Sequence, residues 1–159
     1  MKLLCLTLLT VLTSSACGGD DDGGDTSFEI SSEPLMGTVN GEAWAFVAGE
    51  TDAFLSEGKD DFFTSMYSET VTECAASFPS SDHLLVSMPK VPGDYRLSLQ
   101  QNMTFSIRDV NDEIDNLVAT RGRLVVSTIT ATAITGGLHA RYDDDNEVDG
   151  QFTLTICAN

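Results

Sequence analysis

Residues 138–156, LHARYDDDNEVDGQFTLTI, carry the pattern that decides the fold. Two runs of alternating apolar and polar residues flank an acidic stretch at residues 143–147. The apolar positions are Leu138, Ala140 and Tyr142 in the first run and Phe152, Leu154 and Ile156 in the second. A period of two places one face of a strand against a core and the other face in solvent. The stretch therefore predicts an antiparallel hairpin with residues 143–147 as its loop.

The same period recurs along the chain between short turn signals. Its apolar positions include Leu84, Val86 and Met88, then Tyr95, Leu97 and Leu99, then Met103, Phe105 and Ile107. Asn40-Gly41 predicts a tight hairpin turn, and residues 100–102 are short enough for a hairpin loop. We expect an all-β fold, an antiparallel β-sandwich or β-barrel of about 8–10 strands. At most one short helix is expected, within residues 68–78.

Composition limits the classes of partner. The chain has 159 residues, with 8 Lys and Arg against 25 Asp and Glu, and a formal net charge of −17. This length suits one domain. Nucleic acids need a basic face on their partner, and so do anionic lipid headgroups. We therefore expect no nucleic-acid partner and no electrostatic binding to a membrane surface.

Residues 1–16 have the three parts of an export signal. Lys2 supplies a basic start, residues 3–12 form a short apolar run, and small residues follow it. We predict that residues 1–16 are a signal peptide. Residues 17–33 begin with a run of Gly and Asp and predict a flexible acidic tether. Residues 34–159 are predicted to form a single β domain.

Cys17 directly follows this signal. Ser15-Ala16-Cys17-Gly18 resembles the lipobox of bacterial lipoproteins, although Ser14 stands where that family usually has an aliphatic residue. The resemblance implies cleavage before Cys17, acylation of its thiol and, because Gly18 follows, passage to the outer membrane. Two or three acyl chains make a stable anchor. The acidic run also resembles surface-export signals, so the periplasmic and surface-exposed sides both stay open.

Cys74 and Cys157 are the two cysteines of the predicted domain. Exported proteins meet an oxidising environment, so we predict a disulfide between them. The bond would close a loop of about 83 residues and stabilise the fold by roughly 4–5 kcal/mol. The alternative is a catalytic thiol, which needs a nearby base.

The acidic loop offers weak candidates for a Ca²⁺ site. They are Asp143, Asp145, Glu147 and Asp149. Counting from Asp145, an EF-hand needs a bidentate Glu at its twelfth position, and that position is Ile156. An EF-hand is thereby excluded. A shallow carboxylate site and a solvated hairpin loop remain as alternatives, and no cofactor is expected.

His83 and His139 are the two histidines. His139 alternates with apolar residues, so we expect it on an exposed face. A structural zinc site needs about four N or S ligands, and the chain has no Gly-x-Ser-x-Gly nucleophile motif. We expect no catalysis. The alternative, a hydrolase, needs a histidine near a carboxylate and a nucleophile in one cleft.

Trp44 and Phe46 share a strand parity and are candidates for lining a ligand cavity if the sheet closes as a barrel. Phe62, Phe63 and Tyr67 are a second aromatic set. A tryptophan among strand residues also fits a core position.

Residues 37–44 and the segments 136–138 and 149–152 are similar to β-rich lipoproteins of unknown function from Gram-negative bacteria such as myxobacteria. The resemblance implies the fold and an envelope location and brings no known activity. We expect a lipid-anchored cell-envelope domain that acts as a binding or structural module, with an envelope protein or a glycan as its partner. The alternatives are a carrier of a small apolar ligand in a barrel interior and a weak Ca²⁺-binding surface lipoprotein.

Overall fold

The computed structural model describes residues 29–75 and 81–158. The predicted signal peptide, Cys17 and residues 17–28 of the predicted tether lie outside the described residues. The described chain forms one helix, α1 (Ala53–Ser56), and eleven strands. The strands are β1 (Met36–Val39), β2 (Glu42–Ala45), β3 (Ala48–Asp52), β4 (Asp61–Tyr67), β5 (His83–Pro89), β6 (Gly93–Arg96), β7 (Met103–Arg108), β8 (Ile114–Val118), β9 (Arg121–Ile129), β10 (Ala133–Arg141) and β11 (Glu147–Thr155). The prediction of an all-β fold with one short helix is confirmed.

Nine of these strands form one curled sheet with the shape of a half-barrel, in the order β6-β9-β10-β11-β3-β4-β5-β7-β8. Outside this order, the short strand β1 pairs with β11, and the short strand β2 pairs with β1. Among the described strand pairs, only β11 with β3 is parallel, through Thr155 opposite Glu50. This parallel contact joins two antiparallel parts. We call β6, β9, β10 and β11 with β1 and β2 the β10 half, and β3, β4, β5, β7 and β8 the β4 half.

One hydrophobic core fills the inner face of the curled sheet. Alternate residues of the strands supply it, as the period of two requires. The fully buried members include Met66, Leu84, Met88, Phe105, Leu124, Leu138 and Leu154. Burying each large apolar side chain contributes about 1.5–3 kcal/mol, so this face holds the two halves together.

Two predicted hairpins are confirmed. Asn40 and Gly41 have φ of 54° and 75°, as the turn between β1 and β2 requires. Residues 142–146 connect β10 to β11, and the Tyr142 backbone N–H donates to the carbonyl of Asn146 at 2.9 Å. The buried Asn146 side chain accepts from the backbone of Asn40 at 2.9 Å. The two turns are therefore bonded to each other.

The predicted hairpin around residues 100–102 is wrong. β6 ends at Arg96, and it pairs with β9, while β7 pairs with β5 and β8. Ser98 forms a local turn in which its side chain accepts from the backbone of Gln101 at 3.0 Å. That turn directs the chain from one half to the other, and it leaves Leu99, an expected core residue, 92% exposed.

The helix forms earlier in the chain than predicted. The described part of residues 68–78 is turn and irregular chain, whereas α1 begins after Asp52. The Asp52 carboxylate accepts from the Leu55 backbone N–H at 2.8 Å and caps the helix. Ser56 then accepts from the Phe63 backbone N–H at 3.0 Å, which ties α1 to β4.

Residues 29–35 run along β11. The Leu35 backbone N–H donates to the Gln151 carbonyl at 2.8 Å, and Gln151 donates back to Glu33 at 2.8 Å. Gly150 allows this approach, because a side-chain carbon there would lie 2.6 Å from the carbonyl oxygen of Pro34 and φ is 140°. Residues 29–33 of the predicted tether thus contact the domain. Within the described residues, no helix has the length and apolar character to cross a bilayer.

Candidate functional site

A cavity of about 690 Å³ lies on the outer face of the β4 half, opposite the core. Alternation along the strands explains its lining. Leu84 and Val86 of β5 face the core, so their neighbours His83 and Leu85 face outward into the cavity. Strand register then aligns one row across four strands, consisting of Tyr67, His83, Ser106 and Asn116.

Helix α1 and the disulfide form the walls of the cavity. Phe54 and Leu55 of α1 lie beside it and are 80% and 47% exposed. On the sheet, Phe63 lines it from β4. Near its other wall, the sulfurs of Cys74 and Cys157 lie 2.05 Å apart, so the predicted disulfide is present. The cavity therefore combines apolar walls with a partly polar floor.

Tyr67 and His83 are adjacent in the floor. Their ring centroids are 5.7 Å apart, and Nδ1 of His83 lies 3.0 Å from the carbonyl oxygen of Ser81. Burial raises the pKa of Tyr67, and the charges of Glu50 and Asp52 raise it further, whereas its hydrogen bond with Ser65 acts in the opposite direction. Tyr67 therefore presents a neutral phenol in the cavity at physiological pH.

Two carboxylates and one guanidinium are the charged groups of the lining. Glu50 and Asp52 lie two residues apart on β3, opposite Ser65 and Phe63 of β4. Glu50 accepts a hydrogen bond from the Cys74 backbone N–H. Arg108 lies on β7, and its Nη1 is 3.1 Å from a carboxylate oxygen of Asp112.

The proposed cavity residues Trp44 and Phe46 lie elsewhere. Trp44 is buried in the core, and its indole N–H donates to the carbonyl of Asp82 at 3.3 Å. Phe46 packs against the same core. Of the second aromatic set, Phe63 and Tyr67 line the cavity. The third member, Phe62, packs on the core with the Lys90 ammonium 4.9 Å above its ring.

Three of the four weak Ca²⁺ candidates have separate partners. Asp143 accepts from Asn146 at 2.9 Å, and Glu147 forms an ion pair with Arg141. Asp149 accepts from the Ser31 backbone N–H at 3.1 Å. Among the described residues, no group of three convergent metal-ligating side chains includes any of the four candidates, Asp143, Asp145, Glu147 and Asp149. The one such group within residues 29–75 and 81–158 consists of Glu50, Cys74 and Cys157, and the sulfurs of the two cysteines are bonded to each other.

The expectation that His139 is exposed is wrong, because this residue is only 8% exposed. Residues 30 and 31 lie over the part of the sheet around His139, because Ile30 packs beside Gly137 and the Ser31 backbone N–H donates to Asp149. The Nε2 and Nδ1 atoms of His139 lie 3.5 Å from Glu147 and 3.9 Å from Asp149. His139 therefore lies among acidic groups on the β10 half, and His83 lies in the cavity of the β4 half.

Sequence reasoning did not identify Glu50, Asp52, Phe54 or Ser106 as site residues. The signal for Ser106 was present, because it alternates with the core residues Phe105 and Ile107. The chain matches no protein-family model, and neither curated proteins nor solved structures show a significant similarity to it.

Proposed function

We propose that this chain is a lipid-anchored cell-envelope protein whose β domain binds a small ligand and does not catalyse a reaction. The observation that carries the proposal is the cavity of about 690 Å³ on the β4 half. Small-molecule sites in proteins have volumes of roughly 300–1,000 Å³, with apolar walls and a few polar groups that orient the ligand. The cavity has this size and composition.

The position of the cavity on the outer face argues against the alternative, a carrier that holds its ligand inside a barrel. The inner face of the curled sheet is filled by the side chains of Leu84, Phe105 and Leu138, which are almost completely buried. A ligand in the interior would have to displace them. We therefore favour the outer cavity, formed by Tyr67 and its neighbours, as the binding site.

The absence of catalysis is part of the proposal. His83 of the cavity bonds to a backbone carbonyl, and its ring neighbour is Tyr67. His139 faces Glu147 and Asp149 on the other half. A hydrolase needs its histidine within hydrogen-bond reach of a nucleophile and a carboxylate. Serine and carboxylate side chains line the same cavity as His83, but within the described residues His83 forms a hydrogen bond to none of them, which supports a binding role.

The binding proposal is tested by fluorescence titration of the full chain with N-phenyl-1-naphthylamine, a neutral apolar probe. We expect saturable binding that Leu85→Trp weakens at least about tenfold, because the larger side chain fills the cavity. Leu99→Trp is the matched control, since Leu99 is exposed outside the cavity. Equal binding by both variants and the wild type would contradict the proposal.

The anchor is tested by comparing the wild type with Cys17→Ala. We expect the wild type in the membrane fraction, with a mass lowered by loss of residues 1–16 and raised by acyl chains. Cys17→Ala should lack the acyl mass and leave the membrane, because a stable anchor needs at least two chains. Wild-type protein of unmodified mass in the aqueous phase would refute lipidation, envelope anchoring and an outer-membrane location together.

A further inference from the structure

We infer that the cavity binds an organic cation, an apolar or aromatic molecule that carries an ammonium group. Glu50 and Asp52 would neutralise the charge, while Phe54, Phe63 and Tyr67 would contact the apolar body. This inference rests on the proposed binding function, and it adds the chemical class of the ligand.

The two carboxylates lie on the same face of β3. Residues two apart on a strand are separated by roughly 6.5–7 Å, so one ammonium group can lie between their side chains. Asp52 uses Oδ1 to cap α1 and Glu50 uses Oε2 to hold the Cys74 backbone. Within residues 29–75 and 81–158, the other oxygen of each carboxylate accepts no hydrogen bond, and neither carboxylate forms an ion pair with Lys or Arg.

The charge of the cavity favours a cation. Its lining contains two carboxylates and one guanidinium, and Arg108 is beside the carboxylate of Asp112. The negative charges of Glu50 and Asp52 also help to raise the pKa of Tyr67, so their electrostatic effect reaches the floor of the cavity. The chain as a whole carries a net charge of −17. An acidic protein concentrates cations at its surface and repels anions.

The aromatic side chains favour a cation with an apolar body. A cation within about 6 Å of a Phe or Tyr ring is attracted to the ring face. Phe54 and Phe63 are exposed large apolar residues, and both line the cavity together with Tyr67. Water contacts the rings of Phe54 and Phe63 in the free protein, so an apolar ligand gains by covering them. Carboxylates and aromatic faces in one cavity therefore match an organic ammonium ion better than an inorganic one.

The test compares three indole compounds of similar shape and different charge. They are tryptamine, which is cationic, 3-ethylindole, which is neutral, and indole-3-propionate, which is anionic. Calorimetric titration of the full chain should give an affinity for tryptamine about tenfold higher than for 3-ethylindole, and weaker binding still for the anion. The preference should shrink as the salt concentration rises, because salt screens exposed charges.

Two variants assign the preference to the carboxylates. Glu50→Gln with Asp52→Asn removes both charges but keeps an acceptor oxygen for the Cys74 backbone and for the cap of α1. It should lower the tryptamine affinity to that of 3-ethylindole. The control, Glu57→Gln with Asp60→Asn, removes two exposed charges nearby in sequence but outside the cavity lining and should keep the full preference.

The outcomes separate this inference from the binding function itself. Equal affinity for all three compounds, or preference for the anion, overturns the cation assignment and leaves a binding cavity. A preference that survives Glu50→Gln with Asp52→Asn also overturns it. Loss of binding by all three compounds, together with no binding of N-phenyl-1-naphthylamine, overturns both proposals.

Discussion

The two halves of the curled sheet share one core but differ in their outer faces. On the β10 half, side chains of opposite charge form ion pairs, such as Arg123 with Asp94, and residues 29–35 pack beside β11. On the β4 half, the corresponding face exposes aromatic rings around a cavity. One face therefore carries ion pairs, and the other exposes apolar surface. For this reason we assign the proposed binding site to the β4 half and a purely structural role to the β10 half, which we call the frame.

The largest expected effect is a difference in the free energy of unfolding between two phenylalanine variants, one in the frame and one at the proposed site. Phe152 of β11 is 4% exposed in the core of the β10 half, and Phe54 is 80% exposed at the cavity. Phe152→Ala should lower the free energy of unfolding by about 3–5 kcal/mol, because it removes buried surface and leaves a void. Phe54→Ala should change it by less than about 0.5 kcal/mol, since its ring is mostly in water already.

Urea unfolding of the two variants measures these changes, and the probe titration measures binding. Phe54→Ala should weaken binding of N-phenyl-1-naphthylamine while the fold stays intact. If Phe54→Ala destabilised the protein as strongly as Phe152→Ala, α1 would contribute to stability as the core of the β10 half does, and the comparison between the halves would fail.

Much of the sheet could be predicted from local patterns. Alternation predicted the strands around Leu84, Phe105 and Leu138, and Asn40-Gly41 predicted the first hairpin. Pairing between distant strands could not be predicted this way. Local alternation predicts which residues of a strand face the core, but it does not predict which strand is its neighbour in the sheet. For this reason the parallel contact of β11 with β3 was missed, and β7 was expected to pair with the wrong strand.

The site could be predicted only in part. Phe63 and Tyr67 were among the candidate cavity aromatics, and the pairing of Cys74 with Cys157 was predicted from the compartment. The cavity itself depends on α1 packing beside β4, and that helix is four residues long with no amphipathic period to reveal it. Trp44 was also a cavity candidate but is buried in the core, because an aromatic side chain is equally compatible with a core position.

The smallest expected effect belongs to an ion pair on the outer face of the β10 half. Asp94 accepts hydrogen bonds from Arg123 at 3.0 Å and 2.7 Å. The hydrogen bond with Arg123 lowers the pKa of Asp94 below its ordinary value of 3.8. Because the pair is exposed and screened by water, Asp94→Asn should lower the free energy of unfolding by at most about 0.5 kcal/mol near neutral pH.

The pH dependence of this small difference identifies its origin. A carboxyl group whose pKa is lowered by folding stabilises the fold above pH 3.8, and that stabilisation disappears as the pH falls through the folded-state value. The difference between the wild type and Asp94→Asn should therefore be present at about pH 6 and vanish at strongly acidic pH. Asp115→Asn, which removes the same charge from exposed β8, is the control. A difference that persisted unchanged in acid would show that Asp94 stabilises the β10 half through packing, and the distinction between a charge-paired face and an apolar face would lose its physical basis.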